Sequence, residues 1–504
     1  MGGRQIARTI NGLGHWRRGT PGALVAGMKV RLSLVTGALA ALATPALAQP
    51  APPPVPPPAQ VDTVAELEKD LDALFVAGGL TSDQAASRAG AASPTVQRRV
   101  AEVDEQLQIS TQAYLTGVPQ IGGTLSYTRN SYVAPYSIAF MGFNFNVPFL
   151  QNYWLAEAKI NIPLSDYFYR YPKLVTAART GLDAAKIERT SALADAGQDA
   201  RSAYYEWVRA KLQVLVAQRQ VADVQATLGQ VRAQAEVQRL SRADLLRVES
   251  QEAQAEQTLA QLQNVSVLRE EQLRILIDLT DDKPLAVGED IRKDVTAPVE
   301  LGLEDLMGHA MTHRLDVHQL DQGIAARDAQ AQSEQSNYLP KLSLFGVADY
   351  ANPNQRIFPQ SDSFRGTWAV GAEITWTLND SLTASTNVKK FAAQTDELRA
   401  DRENLVRGAR IQVLQAQQNV QLALHNLETT SKGLKSAEES YRVRKELLAA
   451  DRATAVELVD SETDLTRARI DALNARVDLR VAMTQLVHAL GDDAPRTDPA
   501  TQQR

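Results

Sequence analysis

Two stretches of about 65 residues, 171–237 and 383–449, read as continuous polar, alanine-rich helix. At 1.5 Å per residue each would span ~100 Å, longer than almost any globular domain accommodates. Ala, Gln, Glu, Arg and Leu dominate both, which is the composition of a coiled coil. Each stretch breaks once and is followed by a shorter helix, 241–277 and 454–489. The architecture has to be one that holds very long helices side by side.

The last of these helices carries two apolar series. Leu458, Ser461, Leu465, Ala468, Ala472, Ala475, Leu479, Ala482, Leu486 and Ala489 follow an alternating three–four step. That is a heptad seam, with leucine and small residues in turn. Val456, Val459, Thr463, Thr466, Ile470, Leu473, Val477, Thr484 and Val487 run beside it, two positions earlier, with Arg480 as the interruption. A two-stranded coiled coil needs one seam, so two seams predict neighbours on both sides, as in a cylinder wall. A bundle helix would also show a wide apolar stripe, but a ~100 Å arm does not fit a compact bundle. Unit one has a weaker first seam through Leu245, Val248, Ala255, Leu259, Leu262, Leu273 and Leu276.

The chain is written twice. WLAEAKINIPLSD (154–166) matches WAVGAEITWTLND (368–380), and YLTGVPQIGGTLSY (114–127) matches EQSNYLPKLSLFGVADY (334–350) on Pro119 and Pro340. ADLLRVESQEAQAE (243–256) matches VELVDSETDLTRAR (456–469). Three pairs in the same order indicate a duplicated unit, with repeats at 61–290 and 291–490. Each repeat has a helix running into a proline (94–116 and about 303–337), two short alternating segments, and the long broken helix.

The short segments alternate with period two. Trp154, Ala156, Ala158, Ile160, Ile162 and Leu164 alternate with Leu155, Glu157, Lys159, Asn161 and Pro163; Trp368, Val370, Ala372, Ile374, Trp376 and Leu378 alternate with Ala369, Gly371, Glu373, Thr375 and Thr377. This is a strand with one apolar and one polar face. It fits a transmembrane β-strand and equally a soluble hairpin with a packed face. Loop 130–153 between the unit-one strands is rich in aromatics, which favour a membrane–water interface. Four strands per chain are too few for a transmembrane barrel, and an open edge is not tolerated in lipid. Membrane entry would therefore need several chains sharing one barrel.

From Met28 the chain reads MKVRLSLVTGALAALATPALAQP, with a basic start, an apolar run from Leu32 to Ala43 and an Ala46-Leu47-Ala48 cleavage site. The run is short for a span, so 1–48 is expected to be a secretory signal peptide rather than an anchor. A proline-rich linker, 49–60, follows, and 491–504 is expected to be a disordered tail. Cleavage at 48 leaves 47 basic against 59 acidic residues, a net charge of −12, which disfavours nucleic acid as a partner. There is no cysteine, which excludes disulfides, thiolate chemistry and an N-terminal lipid on cysteine. No phosphate loop or nucleophile–base arrangement is present, so an enzyme is not expected and no cofactor is assigned. His309 and His313 lie four apart, with His318 nearby. Such spacing can bind metal, but without an H-E-x-x-H pattern they read as surface histidines and no metal site is assigned.

The ordered set of motifs resembles the TolC-like outer membrane efflux proteins (outer membrane factors) of Gram-negative bacteria. The resemblance covers about 65–490. It rests on the duplicated layout, on SPTVQRRVAEVDEQLQISTQAYLTGVPQIG and HRLDVHQLDQGIAARDAQAQSEQSNYLPKLSL, and on the tips SRADLLRVES and TAVELVDSET. It implies an α+β membrane protein: a homotrimer whose twelve strands form one β-barrel in the outer-membrane lipid, continued by an α-helical barrel in the periplasm. Its implied role is the channel of a tripartite efflux or type I secretion system, docked to a periplasmic adaptor (membrane fusion protein) and an inner-membrane transporter. A periplasmic coiled-coil adaptor is the alternative, and the four strand-like segments are the feature that discriminates between the two. Many members carry a glycine before the tip acid; Gln238 and Asp451 stand there in this chain.

Two acids that ring the closed periplasmic entrance in the family's best-studied branch match Glu457 and Asp460, while unit one has Asp244 and Arg247. Threefold symmetry would bring six carboxylates together, a field that attracts cations. The alternative is a charged first turn on the positive end of a helix dipole. The resemblance also puts Arg242, Asp244, Leu245, Thr454 and Leu458 at an adaptor-facing helix tip. Lys159 and Glu373, on the polar strand faces, either line the barrel lumen or pair across strands.

Overall fold

The structure of the protein, a computed structural model, describes residues 63–134, 136–147, 149–238, 240–281, 283–293, 302–450 and 452–493. The expected signal peptide, the linker, Asp451 and positions 494–504 of the expected tail lie outside these residues. Among the described residues no helix is long and apolar enough to cross a membrane.

The first repeat runs α1 (Thr63–Leu74), β1 (Phe75–Leu80), α2 (Ser82–Ala92), α3 (Pro94–Leu115), β2 (Gln120–Arg129), β3 (Tyr136–Phe140), β4 (Phe143–Val147), β5 (Asn152–Ile162), α4 (Leu164–Phe168), α5 (Arg170–Glu236) and α6 (Arg242–Leu276). The second runs α7 (Leu303–His313), α8 (Leu315–Gln335), β6 (Lys341–Asn352), β7 (Arg365–Thr375), α9 (Leu378–Ala449) and α10 (Ala455–Leu490). The long helices α5 and α9 have 67 and 72 residues, as their unbroken polar-alanine sequence predicts.

Three local features depart from the sequence expectation. The helix expected over 303–337 is two helices, because Arg314 is extended (φ −66°, ψ 119°). Tertiary contacts hold that break: the Arg314 guanidinium donates to the Ala489 carbonyl (3.1 Å) and to Gln412 (3.0 Å). The expected aromatic loop 130–153 contains a second hairpin, β3–β4. Its turn residues Met141 and Gly142 have φ of 48° and 83°, and positive φ at both is the two-residue turn that matches strand twist. The alternation in FNFNV carried that signal beneath the aromatic composition. Finally, the expected tail does not start at 491. Gly491 is left-handed (φ 80°) and caps α10, donating to the His488 carbonyl at 3.0 Å, the usual role of glycine past a helix end.

The four longer strands form one antiparallel sheet in the order β2-β5-β6-β7. The two repeats meet at β5–β6, where Glu157 lies opposite Asp349 and Trp154 opposite Asn352.

Both seams of α10 are buried, each against a different neighbour. Leu458 and Leu465 pack with Tyr441 and Leu448 of α9, and Leu479, Ala482, Leu486 and Ala489 pack with Val413, Ala416, Val420 and Ala423 of α9. On the other side Ile470, Leu473 and Val477 meet Trp207, Val208 and Leu212 of α5, while Val459 meets Leu228 and Val231. α5 in turn packs on α2, α3, α6 and α8. The helices thus stand side by side, as two-seam periodicity requires.

Candidate functional site

Strand alternation decides which residues share a face of the sheet. One face carries Ile121, Leu125, Trp154, Ile160, Leu344, Trp368, Val370 and Ile374, all of them exposed in the chain. Ile121 keeps 78% of its surface and Trp368 keeps 75%, where a soluble sheet would have buried these first. The other face carries Thr124, Glu157, Lys159, Asp349, Thr367 and Glu373, by the register of the ladders. Lys159 lies opposite Gly122 and Val347, and Glu373 opposite Ser343. They share the polar face with β6 between them, and among the described residues neither makes an ion pair, so they do not pair with each other. β2 and β7 each have one neighbour in the sheet, so the outer edge of each is open in the single chain.

At the other end of the long helices, α5 turns into α6 and α9 into α10. Gln238 takes the left-handed conformation (φ 60°) that a glycine would occupy without steric cost. Ser241 caps α6, accepting from the Asp244 amide at 3.1 Å. Thr454 caps α10 reciprocally with Glu457 (3.3 and 3.4 Å), so Glu457 completes a capping box. Both acids also have arginine partners in the same chain. Arg444 of α9 lies 3.0 Å from Glu457, and Arg247 of α6 lies 3.5 Å from Asp460. The dipole reading and the acidic-tip reading therefore coexist at Glu457. Sequence matching did not find Arg444 and Arg247 as counter-ions, because packing brings them there from other helices.

The adaptor-facing set divides. Arg242 and Thr454 are exposed and Asp244 is half-buried. Leu245 packs partly against the Leu228–Val248 cluster. Leu458 corrects the expectation: it is 2% exposed, inside the α9–α10 core, because its place in the first heptad seam turns it inward rather than towards a partner.

Starting two residues beyond Asp460, α10 carries a buried charged cluster that the sequence did not reveal. Glu462 (2% exposed) and Arg469 of α10 face Asp223 of α5 and Glu438, Tyr441 and Lys445 of α9. Arg469 lies 3.8 Å from Asp223. Neither carboxyl oxygen of Glu462 has a hydrogen-bond partner. Burial, reinforced by Asp223, pushes its carboxyl up to about 8, and burial also raises Asp223 and lowers Arg469. Three carboxyls, Glu462, Asp223 and Glu438, face Arg469 and Lys445, and the buried Glu462, with no hydrogen-bond partner, holds its proton most tightly.

Residues 306–492 match the sequence model of the outer membrane efflux protein family, and no curated protein sequence matches the chain. Solved structures share the fold. CusC superposes with a TM-score of 0.69 at 16% identity, over 83% of this chain and 93% of its own. The CmeC outer membrane channel of Campylobacter jejuni gives 0.67 at 12% identity, over 86% and 89%. The open-state MtrE outer membrane channel of Neisseria gonorrhoeae gives 0.67 at 17% identity, over 81% and 88%. The resemblance to the TolC-like outer membrane efflux proteins thus rests on a family match in the second repeat and on the fold of the described chain.

Proposed function

We propose that the chain is the outer-membrane channel of a Gram-negative tripartite efflux or type I secretion system, working as a homotrimer. One observation carries the reading: a four-stranded sheet with its apolar face exposed and both edges open. Its strands have 10–12 residues, close to the length that crosses a bilayer when tilted. Lipid tolerates no open strand edge. Three copies, each placing β7 beside the next copy's β2, close twelve strands, with Lys159 and Glu373 on the lumen side. The long helices of three copies then form a periplasmic tunnel whose tips meet an adaptor and an inner-membrane transporter. Residues 1–48 serve as the export signal. An adaptor hairpin has no use for such a sheet. Membrane extraction followed by gel mobility with and without heating tests the reading: a heat-sensitive trimer supports it, and a soluble, heat-insensitive monomer sinks it.

Glu457 and Asp460 form the narrow end of this tunnel. Because each sits beside an arginine, they act as interhelical ties more than as a bare ring of negative charge. Exposed pairs of this kind contribute only about 0–1 kcal/mol each, so threefold repetition matters. Glu457→Ala with Asp460→Ala is expected to raise single-channel conductance and weaken block by multivalent cations. Arg247→Ala with Arg444→Ala separates the two roles. Ties predict raised conductance there too, whereas a charge ring alone predicts stronger cation block at unchanged conductance. Unaltered conductance and block in both double variants would remove the gate assignment.

A further inference from the structure

The histidines of α7 acquire a third partner that lies 183 positions away along the chain. His309 and His313, one turn apart, stack with ring centroids 4.0 Å apart and planes 16° from parallel. His309 Nε2 lies 2.8 Å from Asp492 Oδ1. One ligand atom from each of His309, His313 and Asp492 falls within 4.8 Å of the other two. We propose that these three residues form a binding site for a divalent transition-metal ion of the zinc class, which clamps the end of α7 to the end of α10.

The ring chemistry is set for this. His313 Nδ1 lies 3.0 Å from the His309 carbonyl. The Thr312 hydroxyl lies 2.8 Å from the same nitrogen and donates to the His309 carbonyl at 2.7 Å; in the tautomer with Nδ1 protonated towards that carbonyl, Nε2 keeps its lone pair. Fixing an imidazole through its second nitrogen is what supports metal ligation elsewhere. Two imidazoles and a carboxylate are a borderline-soft donor set that suits zinc, with a fourth position left to water.

The fold also brings the carboxylate in rigidly. Asp492 follows the left-handed Gly491 cap and donates its amide to the Val487 carbonyl at 3.0 Å. A Cβ on Gly491 would lie 2.9 Å from the backbone of His313 and Arg314, so the cap rests directly on the end of α7. Beneath it Leu306, Met307 and Ala310 pack with Leu486, Ala489 and Leu490. The arginines in the cavity beside Asp492, Arg201 and Arg480, are occupied by Asp83 and Glu289. The neighbouring His488–Asp493 pair differs, because the Arg314 guanidinium, itself paired with Asp316, lines the same pocket. None of this depends on the channel reading.

The test is zinc titration by calorimetry on the full chain in detergent, without a polyhistidine tag and after chelator treatment. One saturating zinc per protomer is expected, together with a higher thermal midpoint in zinc. His313→Gln and Asp492→Asn should each weaken binding by more than roughly tenfold, the loss that even an outer partner of a ligand causes, and should abolish the thermal shift. Both variants should match the parent by circular dichroism in chelator, which separates ligand loss from misfolding. His425→Ala and His488→Ala should bind as the parent does. The proposal is overturned if zinc does not saturate at one per protomer, if the two ligand variants bind like the parent, or if His425→Ala or His488→Ala abolishes binding instead.

Discussion

Val370→Lys is expected to abolish assembly into the outer membrane, whereas Ala369→Lys, one position earlier, is expected to preserve it. The two residues are adjacent on β7 and point to opposite faces. Val370 is among the exposed apolar residues, while Ala369 lies opposite Val347 on the polar face. A lysine facing lipid near the bilayer midplane costs about 2–4 kcal/mol, and the proposed homotrimer would carry it three times, roughly 6–12 kcal/mol in all. A lysine facing a polar lumen meets water and costs little. The measurement is the amount of heat-modifiable trimer in outer-membrane fractions of cells producing each variant. Equal amounts of trimer for both variants, or loss of trimer for both, would mean that the exposed apolar face does not face lipid.

The second large effect concerns Glu462. Its carboxyl is pushed up to about 8 by burial, from an ordinary value near 4.5. The folded state therefore holds this proton more tightly than the unfolded chain does. The associated stability is fully present below the unfolded pKa and is lost as pH rises through the folded one. A shift of this size corresponds to roughly 3–5 kcal/mol across pH 5 to 8.5. Glu462→Gln keeps the shape and removes the titration, so its thermal midpoint should fall much less over that range and should exceed the parent's at pH 8.5. A residual slope of the same sign remains, because Asp223 and His488 are also raised, the first by burial and the second by its hydrogen bond to Asp493. Midpoints compared at one fixed scan rate decide the matter. Parallel pH profiles for parent and variant would show that Glu462 ionises without cost.

Much of this molecule was readable from order along the chain, because the signals were local periodicities. Period two marked the strands at Trp154 and Trp368, and their register then placed Lys159 and Glu373 on one face. The three–four steps marked both seams of α10, and the charged first turn at Glu457 and Asp460 stood at its start. Other local signals were masked by stronger ones. The aromatic content of 130–153 hid the Met141–Gly142 hairpin, and the continuous helical pattern of 303–337 hid the break at Arg314.

What local pattern could not supply was the set of partners drawn from distant segments. A tip acid looks the same in sequence whether it is bare or paired, and only the packing of α6, α9 and α10 set Arg247 beside Asp460 and Arg444 beside Glu457. The same packing turned Leu458 inward, surrounded Glu462 with charge, and carried Asp492 to His309 and His313. Side-chain periodicity by itself determined the helices, the strands and their faces, because those depend on neighbours within a few residues. The tertiary structure decided which charges are compensated and which ligands converge, because electrostatic and coordinate contacts depend on distance in space, and 183 residues of chain separate His309 from Asp492.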